Sequence, residues 1–172
     1  MMQQDDLIAN LARRIDAAKK AEYVATDGEQ VAALRRRGAC ELHSICAEFV
    51  SSVNGRLSQA ALDLSPSGYT PEMFRESGAN LIRIGSQGRE MQITFGATAQ
   101  LFSAEKFPIR YVLEGEVRTF NQSMLERFEI RSQTLFFCLE EDNARWHSFD
   151  WRTRRTGPVG TELLVGLMGR LF

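Results

Sequence analysis

The chain lacks several features that would assign it to a specialised class of protein. It has only three cysteines in 172 residues, an odd number at wide spacing, so a framework of paired disulfides is excluded. The 21 lysines and arginines nearly balance the 22 aspartates and glutamates, and a net charge of −1 requires neither a polyanion nor a membrane surface as partner. A composition that is 44% hydrophobic and 25% charged is ordinary for a soluble globular protein.

Long apolar runs are also missing. No run approaches the ~18–20 residues that a helix needs to cross a bilayer, so we expect no membrane span. The chain starts Met-Met-Gln-Gln-Asp-Asp, which is acidic and has no apolar h-region, so no secretory signal peptide is evident. We therefore expect one domain, residues 1–172, in the reducing cytoplasm.

Motifs for catalysis or cofactor binding are absent as well. The sequence has no Walker loop, no Gly-x-Gly-x-x-Gly and no His-Glu-x-x-His, so we expect no cofactor. The nearest approach to a metal-ligand set is Cys40, His43 and Cys46 on one predicted helix. Steps of about −60° between these residues spread their side chains apart, and zinc needs a fourth, convergent ligand. We expect no metal site.

The most regular pattern in the sequence is a period of two over residues 90–119. The apolar residues are Met91, Ile93, Phe95, Ala97, Ala99 and Leu101 in its first half, and Phe107, Ile109, Tyr111, Leu113 and Val117 in its second. Alternation of this length predicts an antiparallel hairpin with one buried and one wet face. Gly96 and Gly115 are places where long strands can bend, so we expect a curved sheet with a concave side.

The register of this hairpin depends on the length of its loop. Opposed residues share a face, so the two numbers of each pair must sum to an even value. A loop of Phe102 to Lys106 sets Phe95 opposite Leu113, and a loop of Ala104 to Lys106 is the second option. Either choice keeps the apolar odd-numbered residues of both strands on one face.

The predicted fold class is α+β, with a helical layer over residues 1–58. The first helix has the apolar stripe Leu7, Ile8, Leu11, Ile15 and Ala18, and the second, which runs to about residue 57, has the stripe Leu34, Gly38, Leu42, Ile45, Phe49 and Val53. We expect an antiparallel αα-hairpin. Gly38 costs ~1 kcal/mol of helix propensity relative to alanine, which predicts close contact with another element. A connector, residues 59–78, contains a short helix that begins at Thr70-Pro71.

A curved five-stranded antiparallel meander is predicted over residues 79–155. Its strands are expected at about 81–85, 90–101, 107–119, 128–139 and 144–153. The alternating apolar residues are even-numbered up to Ile130 and odd-numbered from Leu135 onwards. This change predicts a bulge or break near Ser132.

The last two predicted strands give this end of the sheet two apolar faces. If Leu139 lies opposite Arg145, Phe137 meets His147. The other face then carries Phe136, Cys138 and Trp146. Both faces need cover, one from the helical layer and the other from the C-terminal segment or a second copy of the chain.

The C-terminal segment, residues 156–172, is predicted to be an apolar helix. Its large residues include Leu164, Leu167, Met168, Leu171 and Phe172, which surround the helix axis almost completely. Twelve residues span only ~18 Å as a helix, too short to cross a bilayer. Three interpretations stay open, in this order: a buried terminal helix, a homodimer contact through these five residues, and docking on a membrane surface.

The function that these patterns favour is a non-catalytic binding or adaptor module, and we expect a homodimer. The concave sheet, or the groove between sheet and helices, would hold an apolar small ligand or a segment of a protein partner. The candidate binding residues are Phe136, Trp146, Phe149, Trp151 and Arg145. Nucleic acid is not favoured, because the arginines among these aromatics lie close to Glu140, Glu141, Asp142 and Asp150.

A small enzyme is the alternative. His147 lies close in sequence to Asp150, and a histidine–carboxylate pair in a pocket between sheet and helices could act as general acid and base. No serine or cysteine lies in a recognisable nucleophile context. Glu114 and Glu116 share a face of the hairpin, but we expect it to be the solvent face. Catalysis is therefore not the leading interpretation.

Overall fold

The computed structural model of the protein describes residues 5–16, 28–104, 107–140 and 143–172. Its helices are α1 (5–16), α2 (Gly28–Asn54), α3 (Gln122–Glu126) and α4 (Thr161–Gly169), with a 3₁₀ turn at Pro71–Met73. Its strands are β1 (Asp63–Ser65), β2 (Asn80–Ser86), β3 (Arg89–Ala104), β4 (Phe107–Asn121), β5 (Arg131–Leu139), β6 (Ala144–Asp150) and β7 (Arg155–Pro158). Within these ranges, no helix has both the length and the apolar character needed to cross a membrane.

The seven strands form a single antiparallel sheet in which each strand pairs with the next in sequence. The α+β class is confirmed, but the expected five strands undercount the sheet by two. The missed strands are its two edges. β1 has three residues and β7 has four, among them Gly157 and Pro158, so neither is long enough to show an alternating pattern. The predicted short helix is the 3₁₀ turn, which starts at Pro71 as expected.

The long helix α2 packs across one face of the sheet, which we call the inner face. Its buried residues follow the predicted stripe and include Gly38, Leu42 and Phe49. A Cβ at Gly38 would lie 2.6 Å from Cδ1 of Phe137 on β5, so close contact with the sheet explains the glycine. The Nε1–H group of Trp146 on β6 also donates a hydrogen bond to the Gly38 carbonyl, at 2.7 Å.

In the half that lies away from its loop, the hairpin of β3 and β4 has the register that the shorter predicted loop, Ala104 to Lys106, would give. Phe95 pairs with Gly115 and Ala97 with Leu113, so Phe95 does not oppose Leu113. The pairing then shifts between Ala97 and Phe102. Of the predicted loop, residues 105 and 106 lie outside the described residues. The predicted inner face is confirmed by the burial of Met91, Ile93, Phe95, Leu113 and Val117.

The prediction for Tyr111 is wrong, because this residue does not lie on the inner face. Tyr111 pairs with Cys138 and Leu113 pairs with Phe137, so Val112 is an extra residue in β4. This β-bulge reverses the alternation along the strand. Tyr111 is buried in a cluster on the opposite, outer face, together with Phe136, Cys138 and Phe149.

The pairing of β5 with β6 differs from the prediction by one residue. Phe137 lies opposite Trp146, and Phe136 lies opposite His147. Trp146 therefore joins Phe137 in the inner core and does not share a face with Phe136. The break expected near Ser132 falls instead before β5 begins, because the pairing of β5 with β4 is regular through that position.

A single arginine of α2 holds the helix, the hairpin and a loop together. Arg35 donates from Nε to the carbonyl of Val112 at 3.1 Å and from a terminal nitrogen to the carbonyl of Thr98 at 2.6 Å. Its other terminal nitrogen lies 3.0 Å from Oε2 of Glu76, which precedes β2. The carbonyl of the bulged residue in β4 thus accepts a hydrogen bond from the helical layer.

The two terminal helices differ in how much surface they bury. Leu164, Leu167 and Met168 of α4 are buried in the inner core, as the first interpretation of this helix predicts. The expected helix α1 forms. All of its residues are exposed, however, so the αα-hairpin packing expected with α2 is not found. The connection between α1 and α2, including Ala18 of the predicted stripe, lies outside the described residues.

Candidate functional site

The outer face of the sheet carries a depression of about 620 Å³ that opens to solvent, and we call it the outer groove. Its floor is formed by β3 and β4. One side is the turn before β2, at Gly78 and Ala79, and the other side comes from β5 and the turn after β6. The side chains that line it include Thr94, Glu114, Glu116, Ser132, Thr134 and Trp151.

The register of three neighbouring strands brings these side chains together. Thr94 lies opposite Glu116, and Glu116 lies opposite Thr134, so the three form a row across β3, β4 and β5. Glu114 is two residues from Glu116 on one strand and therefore points to the same face. Its partner on β3 is Gly96, which has no side chain. The polar, even-numbered side chains of the hairpin thus form the floor of the outer groove.

Two glycines shape one side of the groove. A Cβ at Gly96 would lie 3.2 Å from the carbonyl oxygen of Gly78, so any larger residue would press on the turn before β2. Gly78 has a φ of +96°, a left-handed conformation that glycine adopts without a steric penalty. The floor beside Glu114 therefore stays open.

Trp151 forms the opposite side of the groove and is held in a fixed orientation. It is the first residue of the turn between β6 and β7. Its Nε1–H group donates a hydrogen bond to Oγ1 of Thr134 at 2.6 Å, and its ring meets the buried Phe149 ring edge-on, with centroids 4.6 Å apart. The Trp151 side chain still leaves 48% of its surface exposed. The indole is a rigid, accessible aromatic surface.

The two carboxylates on the floor differ in their partners. Glu116 forms an ion pair with Arg118 on the same strand, at 3.1 Å. Glu114 is exposed and has no ion-pair partner in the part of the chain that the structure describes. The groove therefore combines an unneutralised carboxylate with an aromatic ring.

Comparison with protein-family models, with curated protein sequences and with solved structures finds no match to this chain. The chemistry of the outer groove is therefore the basis for interpreting it. Aromatic faces attract cations through the ring quadrupole, and carboxylates attract them through charge. The arrangement suits a ligand with a positively charged group.

The residues proposed from the sequence as ligand contacts lie in three different environments. Trp146 is 3% exposed and packs in the inner core. Phe136 and Phe149 are buried in the outer-face cluster, at 1% and 2% exposure. Arg145 is exposed on β6, and Trp151 lines the outer groove. Of the five, only Trp151 lies in this groove.

The structure pairs His147 with a carboxylate other than the one the sequence pointed to. Nε2 of His147 lies 2.7 Å from Oε1 of Glu140, although not in the direction of a well-formed hydrogen bond. Asp150 instead accepts hydrogen bonds from the backbone N–H groups of Arg152 and Thr153, at 2.9 and 3.4 Å. The first of these bonds is the main reason that the pKa of Asp150 is lowered. Asp150 therefore acts as a turn residue.

The His147–Glu140 pair does not adjoin a described cavity. Neither residue lines the outer groove, and neither lines a second depression of about 560 Å³ between α4 and strands β5, β6 and β7. The lining of this second depression includes Pro158, Leu163 and Leu167. His147 therefore lies outside both of these depressions.

Cys40, His43 and Cys46 on α2 do not converge. Nε2 of His43 lies 2.7 Å from the carbonyl oxygen of Pro66, and the imidazole stacks on Tyr69 with ring centroids 5.5 Å apart. Cys46 is fully buried, which raises the pKa of its thiol to about 12. Within the described ranges no three histidine, cysteine or acidic side chains are grouped as a metal site.

Most of the residues proposed as a dimer contact are buried in their own chain. Leu164, Leu167, Met168 and Leu171 are 1–5% exposed in the inner core. Phe172 is 69% exposed, and the Arg89 guanidinium lies over its ring at 4.5 Å. Nε of Arg89 also donates a hydrogen bond to the Leu171 carbonyl, at 2.7 Å. These contacts hold the C-terminal residues against β3.

Sequence reasoning considered the carboxylates of the groove only as acid–base groups of a possible enzyme, and it placed them on the solvent face. Two glutamates at i and i+2 in the middle of a long hairpin are a usable signal, because they must share a face. Nothing local shows that Trp151 folds back over Thr134, since the two residues are 17 positions apart on different elements. The aromatic side of the groove could therefore not be assigned from the sequence.

Proposed function

We propose that the protein is a non-catalytic binding module whose outer groove holds a partner segment carrying a basic side chain. The observation that supports this is the unpaired carboxylate of Glu114 on the floor of the same groove as the fixed ring of Trp151. A lysine or arginine side chain laid along the floor would meet the ring face and the carboxylate together. Thr94 and Ser132 add hydroxyl groups for hydrogen bonding.

Magnitudes favour a segment over a free small amine. A cation–π contact at an exposed site contributes ~0.5–1 kcal/mol, and an exposed ion pair contributes ~0.2–1 kcal/mol. Their sum falls well short of the roughly 4 kcal/mol that corresponds to a dissociation constant of about 1 mM. Useful affinity therefore requires further contacts along the groove, which a chain of several residues supplies.

The apolar ligand expected from the sequence fits the outer groove less well. That expectation rested on aromatic residues of which Phe136, Trp146 and Phe149 are buried. The accessible floor is polar, and only Trp151 offers a large exposed apolar surface there. A partner segment, which the sequence also allowed, suits the geometry better.

Tryptophan fluorescence provides a direct test, because Trp151 is one of only two tryptophans and Trp146 is buried. The full chain is titrated with a hexapeptide of arginine and, separately, with a hexapeptide of glutamate. We expect a saturable signal with the arginine peptide that weakens as salt is added, and none with the glutamate peptide.

Glu114→Gln is the variant that decides the proposal. It keeps the size of the side chain and removes the charge, and we expect it to weaken binding of the arginine peptide about 2- to 5-fold. Glu48→Gln, on the exposed side of α2, is the matched control and should bind like the wild type. Equal affinities of the two variants would refute the proposal, as would preferential binding of an uncharged apolar probe between α4 and the sheet.

A further inference from the structure

One end of the sheet carries exposed apolar side chains that the fold does not use. Because each strand is antiparallel to the next, the β2–β3 turn, the segment with α3 that joins β4 to β5, and the β6–β7 turn all lie at this end, which we call the α3 end. Phe128 follows α3 and is 94% exposed. Leu125 and Ile130, close to it in sequence, are 38% and 42% exposed.

Phe172 adds a second exposed aromatic ring to the α3 end. Arg89 is the first residue of β3 and pairs with Asn121, the last residue of β4. Its guanidinium lies over the ring of Phe172, so this ring lies at the same end of the sheet. Trp151 of the β6–β7 turn is the third exposed aromatic residue in the described part of the chain, and its ring lines the outer groove.

The α3 end also has a local excess of positive charge. Segments 122–131 and 150–155 together contain five arginines and three acidic residues, a net charge of +2. The whole chain has a net charge of −1, so the remainder carries −3. Within the described ranges, four of the five arginines are exposed and form no ion pair, namely Arg131, Arg152, Arg154 and Arg155.

These arginines lie beside the apolar residues of the α3 segment. The indole N–H of Trp151 donates to Thr134 of β5, which holds the β6–β7 turn against that strand. β5 begins at Arg131, directly after Ile130. The cations of the turn and the apolar side chains around α3 therefore form one continuous surface.

The acidic side chains of this surface are already engaged within the chain. Glu129 pairs with Arg127 at 3.4 Å, and Glu126 accepts a hydrogen bond from Gln122 at 3.3 Å. Asp150 accepts from the backbone of the β6–β7 turn. Glu140, close to the arginines in sequence, follows β5 at the opposite end of the sheet, and the length of β6 puts roughly 20 Å between it and the turn.

Two residues of the α3 end keep large side chains where the backbone favours glycine. Phe128 has a φ of +55° and Arg154 a φ of +58°, both in the left-handed region. The fold does not explain either side chain, because the Phe128 ring is almost fully exposed and Arg154 is exposed without an ion pair among the described residues. Such backbone conformations cluster at functional sites. An aromatic ring and a cation are thus retained here against the preference of the backbone.

We propose that the α3 end docks on the surface of an anionic lipid bilayer. Phe128, with Leu125 and Ile130 beside it, enters the boundary between headgroups and acyl chains. The unpaired arginines lie at the level of the lipid phosphates and are attracted by the negative surface potential. Phe172 and Arg89 form a second contact of the same kind.

Charge and side-chain type favour a bilayer over other partners. An extended anionic surface attracts the α3 end and repels the remaining chain, which is net negative, so it also orients the protein. A nucleic acid would use the arginines, but Leu125 and Ile130 offer no aromatic face on which bases stack. The contact is independent of the outer groove, whose lining includes none of the residues invoked here.

Co-sedimentation of the full chain with lipid vesicles tests the proposal. One set of vesicles contains phosphatidylcholine and phosphatidylserine in a ratio of about 7:3, and the other contains phosphatidylcholine alone. We expect binding to the first set that weakens as salt is added, and much weaker binding to the second.

Phe128→Ala tests the apolar part of the contact. Loss of the inserted ring should weaken binding to the anionic vesicles about 10-fold. The unfolding midpoint should not fall, because the ring is exposed in the free protein. Leu81→Ala is the control, since Leu81 is 46% exposed but lies at the opposite end of β2, and it should bind like the wild type.

Arg154→Gln tests the electrostatic part. Removal of one cation from the surface should weaken binding about 5-fold. Arg75→Gln is the matched control. Arg75 is also exposed, but its backbone is bonded to Asn80, the first residue of β2, at the far end of the sheet. This variant should bind like the wild type.

Several results would overturn the proposal. Absence of binding at about 1 mM anionic lipid would do so, because even a single acyl chain binds with an association constant of about 10⁴ M⁻¹. So would equal affinity of Phe128→Ala and the wild type, or equal losses in Arg154→Gln and Arg75→Gln. A single-stranded oligonucleotide that displaces the protein from vesicles and binds Phe128→Ala at full strength would assign the arginines to nucleic acid instead.

Discussion

The indole nitrogen of Trp146 donates a hydrogen bond to the main-chain carbonyl of Gly38, and the two residues are 108 positions apart in sequence. The donor lies on the inner face of β6 and the acceptor in the middle of α2. This bond satisfies a buried N–H group that would cost ~1–3 kcal/mol without a partner. It also sets the height of α2 above the sheet, where the Phe137 ring fills the space beside the glycine.

Replacing Gly38 with alanine is expected to destabilise the protein, although alanine is the better helix former by ~1 kcal/mol. The added methyl group would lie 2.6 Å from the Phe137 ring and 2.9 Å from Cδ1 of Leu113, so α2 would have to move away from the sheet. Overpacking of this kind typically costs about 1–3 kcal/mol. Urea unfolding followed by circular dichroism measures the change in the free energy of unfolding.

Gly166 in α4 provides the matched control for this substitution. It is exposed, and no heavy atom lies within 4 Å of a Cβ built there. Gly166→Ala should therefore raise the free energy of unfolding by about 0.5–1 kcal/mol through helix propensity alone. If Gly38→Ala behaved like Gly166→Ala, the close approach of α2 to the sheet would be wrong.

Phe128 is a residue whose replacement by glycine should stabilise the fold. Its φ is +55°, and it ends α3 in a Schellman arrangement in which the N–H of Glu129 binds the carbonyl of Met124. The Phe128 side chain is 94% exposed, so its ring gains almost nothing from burial. Because a side chain is unfavourable in this left-handed conformation, Phe128→Gly should raise the free energy of unfolding by about 1 kcal/mol.

Thermal unfolding of Phe128→Gly and Phe128→Ala separates the backbone from the ring. Alanine removes the ring but keeps the Cβ, so its effect should be much smaller than that of glycine. A loss of stability in both variants would mean that the ring makes a stabilising contact.

The three cysteines should react with alkylating reagents at very different rates. Burial raises the pKa of Cys46 and of Cys138 to about 12, and both side chains are fully buried. Cys40 is partly exposed, and burial followed by the charge of Glu72 raises its pKa as well. We expect slow labelling of Cys40 alone in the native protein at about pH 8, because the thiolate is the reactive form.

Mass spectrometry counts the labelled thiols before and after denaturation. One label per native chain and three per denatured chain are expected, and Cys40→Ser should abolish native labelling. Native labelling of Cys46 would contradict its position on the buried face of α2.

Acid should remove the contribution that the ion pair of Arg83 and Glu90 makes to the free energy of unfolding. A hydrogen bond from Arg83 is the main reason that the pKa of Glu90 is lowered from its ordinary value of 4.5. A carboxyl group whose pKa is lower in the folded chain stabilises the fold above the unfolded pKa and loses this effect as the pH falls through the folded pKa. Because the Arg83 side chain is 51% exposed, we expect only a small contribution at neutral pH.

Glu90→Gln isolates that contribution across the pH range. The difference in the free energy of unfolding between wild type and variant should be largest near neutrality and disappear in acid. Glu48→Gln, which is exposed on α2, should leave the free energy of unfolding at neutral pH unchanged. A difference that survives at about pH 2 would assign the effect to packing and not to charge.

The sequence predicted the elements whose pattern repeats and missed those fixed by distant contacts. The alternation through Met91, Ile93 and Phe95 identified the inner face, and the stripe of α2 identified the face that packs on it. The sequence gives no signal of the β-bulge at Val112. Tyr111, Val112 and Leu113 are all apolar, so either alternation of buried and exposed residues along β4 would bury at least one of them.

The candidate site was only partly accessible to sequence reasoning for a related reason. Alternation placed Glu114 and Glu116 on one outward face. Whether they can form a binding site depends on which residues lie next to them in the fold. Trp151 reaches the groove only through the one-residue difference in the β5–β6 register and the turn that follows β6. Such cross-strand placement is set by the whole sheet, not by neighbours in sequence.

Arg35 reaches from α2 to Glu76, and Gly78, two residues further on, forms one side of the outer groove. The same guanidinium donates hydrogen bonds to the carbonyls of Thr98 and Val112, which lie on the two strands that form the floor. The floor of the outer groove is thus held by a helix on the opposite side of the sheet. We therefore expect Arg35, on the inner side of the sheet, to influence the width of the outer groove on the other side.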